Sequence, residues 1–140
     1  MDLIKAHNEK YKFFATITGE AMKVYNEYRP GLMESAYEAA LEYLLKEAGH
    51  CVERQKFLPI YWKSVQLEQH YRLDLVVDGV ICELKAVGYV DKEHRKQLWS
   101  YMNLTHTRYG MLINFGQKDR LFSEWYERHP DGTIEKIRLF

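Results

Sequence analysis

The sequence predicts an α/β or α+β fold, a sheet with helices packed on it. Three observations predict it. Two segments of helical periodicity precede four strand-like segments, one more helix, one more strand and a closing hairpin. Asp-Gly stands twice between strand-like runs, at Asp78-Gly79 and Asp131-Gly132, and marks tight hairpin turns. The run "RYGMLINF", 108–115, is nearly all apolar, as a strand covered on both faces must be.

The elements follow in order. Phe13, Ile17, Ala21, Val24 and Tyr28 recur at helical spacing over about 10–28. Arg29-Pro30-Gly31 interrupts, because a residue before proline resists the α region. A second helix over about 32–48 turns Ala36, Ala40, Leu41, Leu44 and Leu45 inward and ends at Gly49 as a left-handed cap. Strands are expected at 51–57, 58–63, 68–77 and 80–87. The stretch 91–104 reads as a helix with Asp91 as N-cap, and its length permits a right-handed crossover into the apolar strand.

Length and composition bound the rest. A chain of 140 residues fits one domain, 1–140, and buries a sizeable core. Hydrophobic residues make up 46% and aromatic residues 14%, a folded composition rather than a disordered one. Twenty Lys and Arg balance twenty Asp and Glu, so binding to a polyanion must rest on a local basic patch. The opening "MDLIKAHNEKYKF" is charged within five residues and lacks an apolar signal core. No apolar run approaches the roughly 18–20 residues of a membrane span, so the expected location is cytoplasmic. Cys51 and Cys82 lack CxxC spacing, and Cys82 reads as a small buried apolar residue beside Leu73, Leu75 and Leu84. Neither a Ser/His/Asp or Cys/His triad nor a phosphate-cradling glycine loop is present in the pattern.

The stretch "RLDLVVDGVICELK", 72–85, carries the chemistry. With Asp78 and Gly79 as the loop, Val77 faces Val80, Val76 faces Ile81, Leu75 faces Cys82 and Asp74 faces Glu83. One face, Tyr71, Leu73, Leu75, Val77, Val80, Cys82 and Leu84, is wholly apolar. The other carries Arg72, Asp74, Val76, Ile81, Glu83 and Lys85. Like charges directly opposite on neighbouring strands are unfavourable. Val76 and Ile81 share that face and cover it in part, so the carboxylates need a shared proton or a bound cation. Mg²⁺ or Mn²⁺ suits such oxygen ligands, with open positions for water and phosphate, and Lys85 stands where it can hold an attacking water. A structural charge cluster neutralised by Arg72 and Lys85 is the other open reading.

An Asp, a hydrophobic turn and Glu-x-Lys on a hairpin resemble the signature of the PD-(D/E)XK nuclease superfamily. "GLMESAYEAALEYLL" resembles its GxxExxY branch of small bacterial proteins, with Gly31, Glu34 and Tyr37 at the name-giving positions. "VERQKFLPIYWK", "HRKQLWSYMNLT" and "YGMLINFG" follow the same order, so the resemblance covers about 17–116. It implies a restriction-endonuclease-like, three-layer core with a mixed sheet between helices. It also implies a site in which Asp74, Glu83 and the Leu84 carbonyl hold the metal, Lys85 is the catalytic lysine, Glu34 is an outer acid and Gln97 assists. Tyr25, where a histidine is common, and Arg29, in place of the first glycine of "GPG", depart from the pattern, as does a longer terminal hairpin.

The function read from this is a Mg²⁺- or Mn²⁺-dependent nuclease acting on DNA or RNA. Lys92, Arg95 and Lys96, with the helix N-terminal amides, are expected to receive phosphates, and Tyr37 and His94 are candidate substrate contacts. The alternative is a non-catalytic nucleic-acid- or protein-binding module with the same fold. A third reading is a homodimer joined through Phe122, Trp125 and Tyr126 of the terminal hairpin.

Overall fold

In a computed structural model that describes residues 2–138, the first expected helix is two helices. Met1 and the end of the expected terminal strand, Leu139 and Phe140, lie outside the described residues. α1 (Leu3–Lys10) starts at Asp2, whose carboxylate accepts the Ile4 and Lys5 amides. The chain leaves helical geometry at Tyr11, with φ −108° and ψ 19°, and resumes as α2 (Lys12–Tyr28). Tyr11 is buried there, and its hydroxyl donates to Glu127 at 2.8 Å.

Arg29 leaves the α region and ends α2, as a residue before proline tends to, and takes φ 54°. α3 (Glu34–Glu47) ends in the expected glycine cap. Gly49 has φ 92°, its amide bonds the Lys46 carbonyl, and the His50 amide bonds the Leu45 carbonyl.

The two expected strands at 51–57 and 58–63 are one, β1 (Val52–Trp62). Pro59 does not end it, because the strand lies at the sheet edge and absorbs the irregularity as a shift of register between Pro59 and Tyr61. β2 (Val65–Val77) begins earlier than expected, directly after the turn at Lys63, and β3 (Val80–Lys85) ends earlier. α4 (Lys92–Thr105) leads to β4 (Tyr109–Asn114), and β5 (Phe122–Arg128) and β6 (Ile134–Lys136) form the terminal hairpin.

Among the described residues six strands stand in chain order, and of these only β3 and β4 run parallel, joined through α4 as the crossover expectation requires. One face of the sheet packs Leu75, Val80, Cys82, Leu84, Met111 and Ile113 against α2 and α3. The other packs Ile81, Leu112 and Tyr126 against Leu98 and Met102 of α4. The result is a mixed sheet between helices, three layers deep. Leu73 corrects the expected alternation: it lies in the α4 core rather than with Leu75, and Tyr71 meets the ring of Tyr101 at 5.3 Å.

The aromatics of the terminal hairpin, expected at an interface, also pack within the chain. Tyr126 is buried against Trp99, Trp125 stacks on Phe14 at 5.1 Å, and Phe122 packs on the α4 core. Tyr126 is buried, whereas Phe122 and Trp125 stay half-buried. Among the described residues no helix is long and apolar enough to cross a membrane.

Candidate active site

The tight turn at Asp78 (φ 49°) and Gly79 (φ 85°) aligns β2 with β3 in the expected register. Pairing runs Val77↔Val80, Val76↔Ile81, Leu75↔Cys82, and then stops. On the other side of β2, the pair that would join Gln55 to Asp74 is also missing from the ladder, and Gln55 takes a left-handed φ of 52°. Asp74 therefore sits where the sheet loosens on both sides.

Side chains replace the missing backbone bonds. The Asp74 amide donates to the Glu83 carboxylate at 3.2 Å, and the Leu84 amide donates to the Asp74 carboxylate at 2.9 Å. The amide and carbonyl of a strand residue point to the same edge, so the Leu84 carbonyl also faces this opening. Gln55 donates to Asp74 at 3.3 Å and to both oxygens of Glu38, at 2.9 and 3.1 Å, which ties the opening to α3.

Burial raises the electrostatic cost. Glu83 is 2% exposed, and desolvation followed by the Asp74 charge holds its pKa well above the usual carboxylate range. Glu34, at the start of α3, is raised for the same two reasons, with Lys85 opposing. Tyr101 is pushed up to about 12 by burial and by the charges of Glu83 and Asp74. Lys85 donates to Gln97 at 2.9 Å, and Gln97 donates to the Tyr101 hydroxyl at 3.1 Å. Lys85 is thus held from α4 at the rim of the carboxylate pair.

Asp74, Glu83, Leu84, Lys85, Gln97 and Glu34 are brought into one neighbourhood. Gln55, Glu38 and Tyr101 join them without having been expected. Tyr101 was legible as the residue one helical turn after Gln97. Gln55 was not, because nothing about a glutamine in a strand announces a left-handed φ.

The expected substrate contacts are placed differently. The Tyr37 hydroxyl donates to the Arg29 carbonyl at 2.6 Å and accepts the Leu32 amide at 3.0 Å, while its ring stacks on Phe115. It closes the turn between α2 and α3. His94 accepts the Asp91 amide as half of a capping box, and the Asp91 carboxylate takes the Glu93 and His94 amides. Those helix amides are therefore engaged. Arg95 grips Glu124 with two bonds, at 2.7 and 3.3 Å, and Lys96 pairs with Glu93. Lys92 stays exposed. Tyr25, the departure on α2, is buried and donates its hydroxyl to the Gln117 and Lys118 carbonyls beyond β4.

The available donors are all oxygen: two carboxylates, a main-chain carbonyl and the Glu34 carboxyl nearby. This is the donor chemistry of a hard cation. Among the described residues no three His, Cys, Asp or Glu side chains converge into a ready-made cluster. A cation here would have to complete its shell with a carbonyl, water or phosphate oxygens, which is how Mg²⁺ is ordinarily held.

No curated protein and no solved structure matches the chain significantly. The profile of one family does, over residues 11–127, a span that contains the broken ladder, both carboxylates, Lys85 and Gln97. The chain belongs to the PD-(D/E)XK nuclease superfamily.

Proposed function

We propose that this chain, acting as one domain over 1–140, hydrolyses phosphodiester bonds in nucleic acid with Mg²⁺ or Mn²⁺. The observation that carries the reading is the carboxylate pair at the ladder break. Asp74 and Glu83 are held against each other by main-chain amides, one of them buried, with Lys85 alongside. A protein that keeps like charges in such a place has a cation or a proton to put between them. Membership of a nuclease superfamily supports nucleic acid as the substrate class.

In this reading Asp74, Glu83 and the Leu84 carbonyl hold the metal. The cation, when bound, lowers the pKa of a coordinated water and offsets charge developing on the phosphate. Lys85 orients the attacking water, and Gln97, fixed by Tyr101, keeps the ammonium aimed at it. Glu38 and Gln55 steady Asp74 from the other side. Glu34 lies close enough to Asp74 and Lys85 to feel their charges and serves as the outer acid.

The chain also fits the GxxExxY branch. Gly31 takes φ 130°, open to glycine but not to other residues, and Tyr37 closes the same turn. Glu34 opens the helix that this turn aims.

The test compares wild type with Lys85→Ala on single-stranded, duplex and branched DNA and RNA, with Mg²⁺ and with Mn²⁺. Wild type is expected to cleave at least one of these, and the variant none. Equal background from both proteins across the whole panel would reject hydrolysis and leave a binding module.

A further inference from the structure

β2 pairs with β3 only from Leu75 to Val77, while its pairing with β1 runs on to Trp62 and Val65. The far half of the β1–β2 hairpin is therefore a two-stranded ribbon with no neighbouring strand, and every residue from Tyr61 to Arg72 is exposed. A free ribbon of this kind gains little from its own pairing. It nevertheless presents Trp62 at 67% exposure, Tyr61 at 55% and Phe57 at 44%. Tyr61 and Phe57 lie on one face of the strand and Trp62 on the other, and large rings left this open at the tip of a ribbon mark a place where a partner docks.

The charges identify the partner. Residues 56–72 carry Lys63 and Arg72, together with a Lys56 that pairs with Glu53 at 3.2 Å, against Glu68 alone, although the chain as a whole is balanced. The cations lie beside the rings: Lys63 over Trp62 at 6.0 Å, and Arg72 over Phe57 at 5.7 Å. Rings that accept a planar face, interleaved with cations, suit a nucleotide strand, whose bases stack and whose phosphates pair. A second copy would bring the same cations against these. Pro59 and the register shift beside it also spoil the β1 edge for strand pairing. In a duplex the base faces are already stacked, so exposed rings favour unpaired bases.

We infer that the tip of the β1–β2 ribbon grips single-stranded nucleic acid, DNA or RNA, by stacking its bases on Trp62 and Tyr61, while Phe57 is packed against His70 at 4.7 Å. The inference rests on the nuclease reading for the direction of the strand. The base of the ribbon is Gln55 and Asp74, so a strand lying along it runs to the carboxylate pair.

The test is binding measured in chelator, where cleavage plays no part. Labelled oligothymidylate, oligouridylate and a duplex are titrated with the full chain and followed by anisotropy. Both single strands are expected to bind more tightly than the duplex and to quench tryptophan fluorescence. Trp62→Ala and Tyr61→Ala should each weaken single-strand binding roughly fivefold or more, and Trp62→Phe should retain most of it. Circular dichroism should be unchanged in all three, since these side chains are exposed.

Unchanged binding by the alanine variants overturns the inference, as does equal affinity for the duplex. A change in sedimentation of the protein alone on mutating the tip also overturns it, by making a second copy the occupant. Ribbon-dependent binding without cleavage on any substrate supports the ribbon and rejects hydrolysis. Cleavage together with Trp62→Ala and Tyr61→Ala variants that bind as wild type rejects the ribbon alone.

Discussion

Asp74 shows how far single residues could be read and where that reading ends. Its register opposite Glu83 followed from Asp78-Gly79, because a two-residue loop with φ > 0 leaves one way to count along both strands. The ending of the ladder at Leu75↔Cys82 did not follow, nor did the trade of backbone bonds for carboxylate bonds. The matching gap on the β1 side falls at Gln55, a residue of another strand in a conformation its type does not favour. Exchange of Asp74 for Asn tests the pair. The Leu84 amide keeps an oxygen acceptor, and the repulsion from Glu83 goes, so without metal the variant should stay within about 1 kcal/mol of wild type. A cation that binds only the folded site adds about 2.7 kcal/mol at roughly a hundred times Kd. Wild type should therefore gain melting temperature on Mn²⁺ titration, and Asp74→Asn much less. Parallel gains in the two proteins would mean that Mn²⁺ binds elsewhere.

Elements were legible where a local signal decided them and illegible where packing did. Gly49, Asp91 and the Asp-Gly turns mark their boundaries by backbone chemistry alone, and each stands where expected. The break at Tyr11 has no such signal, since Tyr11 leaves the helix where its hydroxyl meets Glu127, 116 residues away. The segment 51–63 is expected as two strands meeting between Phe57 and Leu58, and only pairing with β2 reveals one strand with a register shift inside it. The turn between α2 and α3 provides the element-scale prediction. Tyr37, a candidate substrate contact, lies fully buried in the core, and its hydroxyl joins Arg29 to Leu32. Tyr37→Phe strands a donor and an acceptor in a partly buried turn, at a cost of about 1–3 kcal/mol. Denaturant melts should register that loss while KM for any cleaved substrate stays unchanged. A raised KM at unaltered stability would return Tyr37 to the substrate surface.

At the scale of the whole molecule, two buried carboxylates on β5 tie the layers together, and no local pattern announces them. Glu127 takes Tyr11 from the α1–α2 break and Arg108 from the start of β4. Glu124 takes Arg95 from α4, Lys136 from β6 and the Tyr126 hydroxyl beside it. Arg95, expected to meet phosphate, is bound to this internal carboxylate because alternation along β5 turns Glu124 inward at the α4 face. Burial opposes ionisation of Glu124, but the bonds from Arg95, Lys136 and Tyr126 win and bring its pKa from an ordinary 4.5 down to about 2. A carboxylate lowered by folding stabilises the protein above its unfolded value, and that stability disappears as pH falls through the folded one. The contribution is on the order of 3 kcal/mol at neutral pH and is lost between about 4.5 and about 2. Glu124→Gln keeps the size and gives up the charge. Urea melts of the two proteins should differ most near neutrality, and the gap should close on acidification across that window. A gap that stays constant with pH would mean that Glu124 contributes shape and hydrogen bonds alone, and the ionic tie between α4 and the terminal hairpin would have to be abandoned.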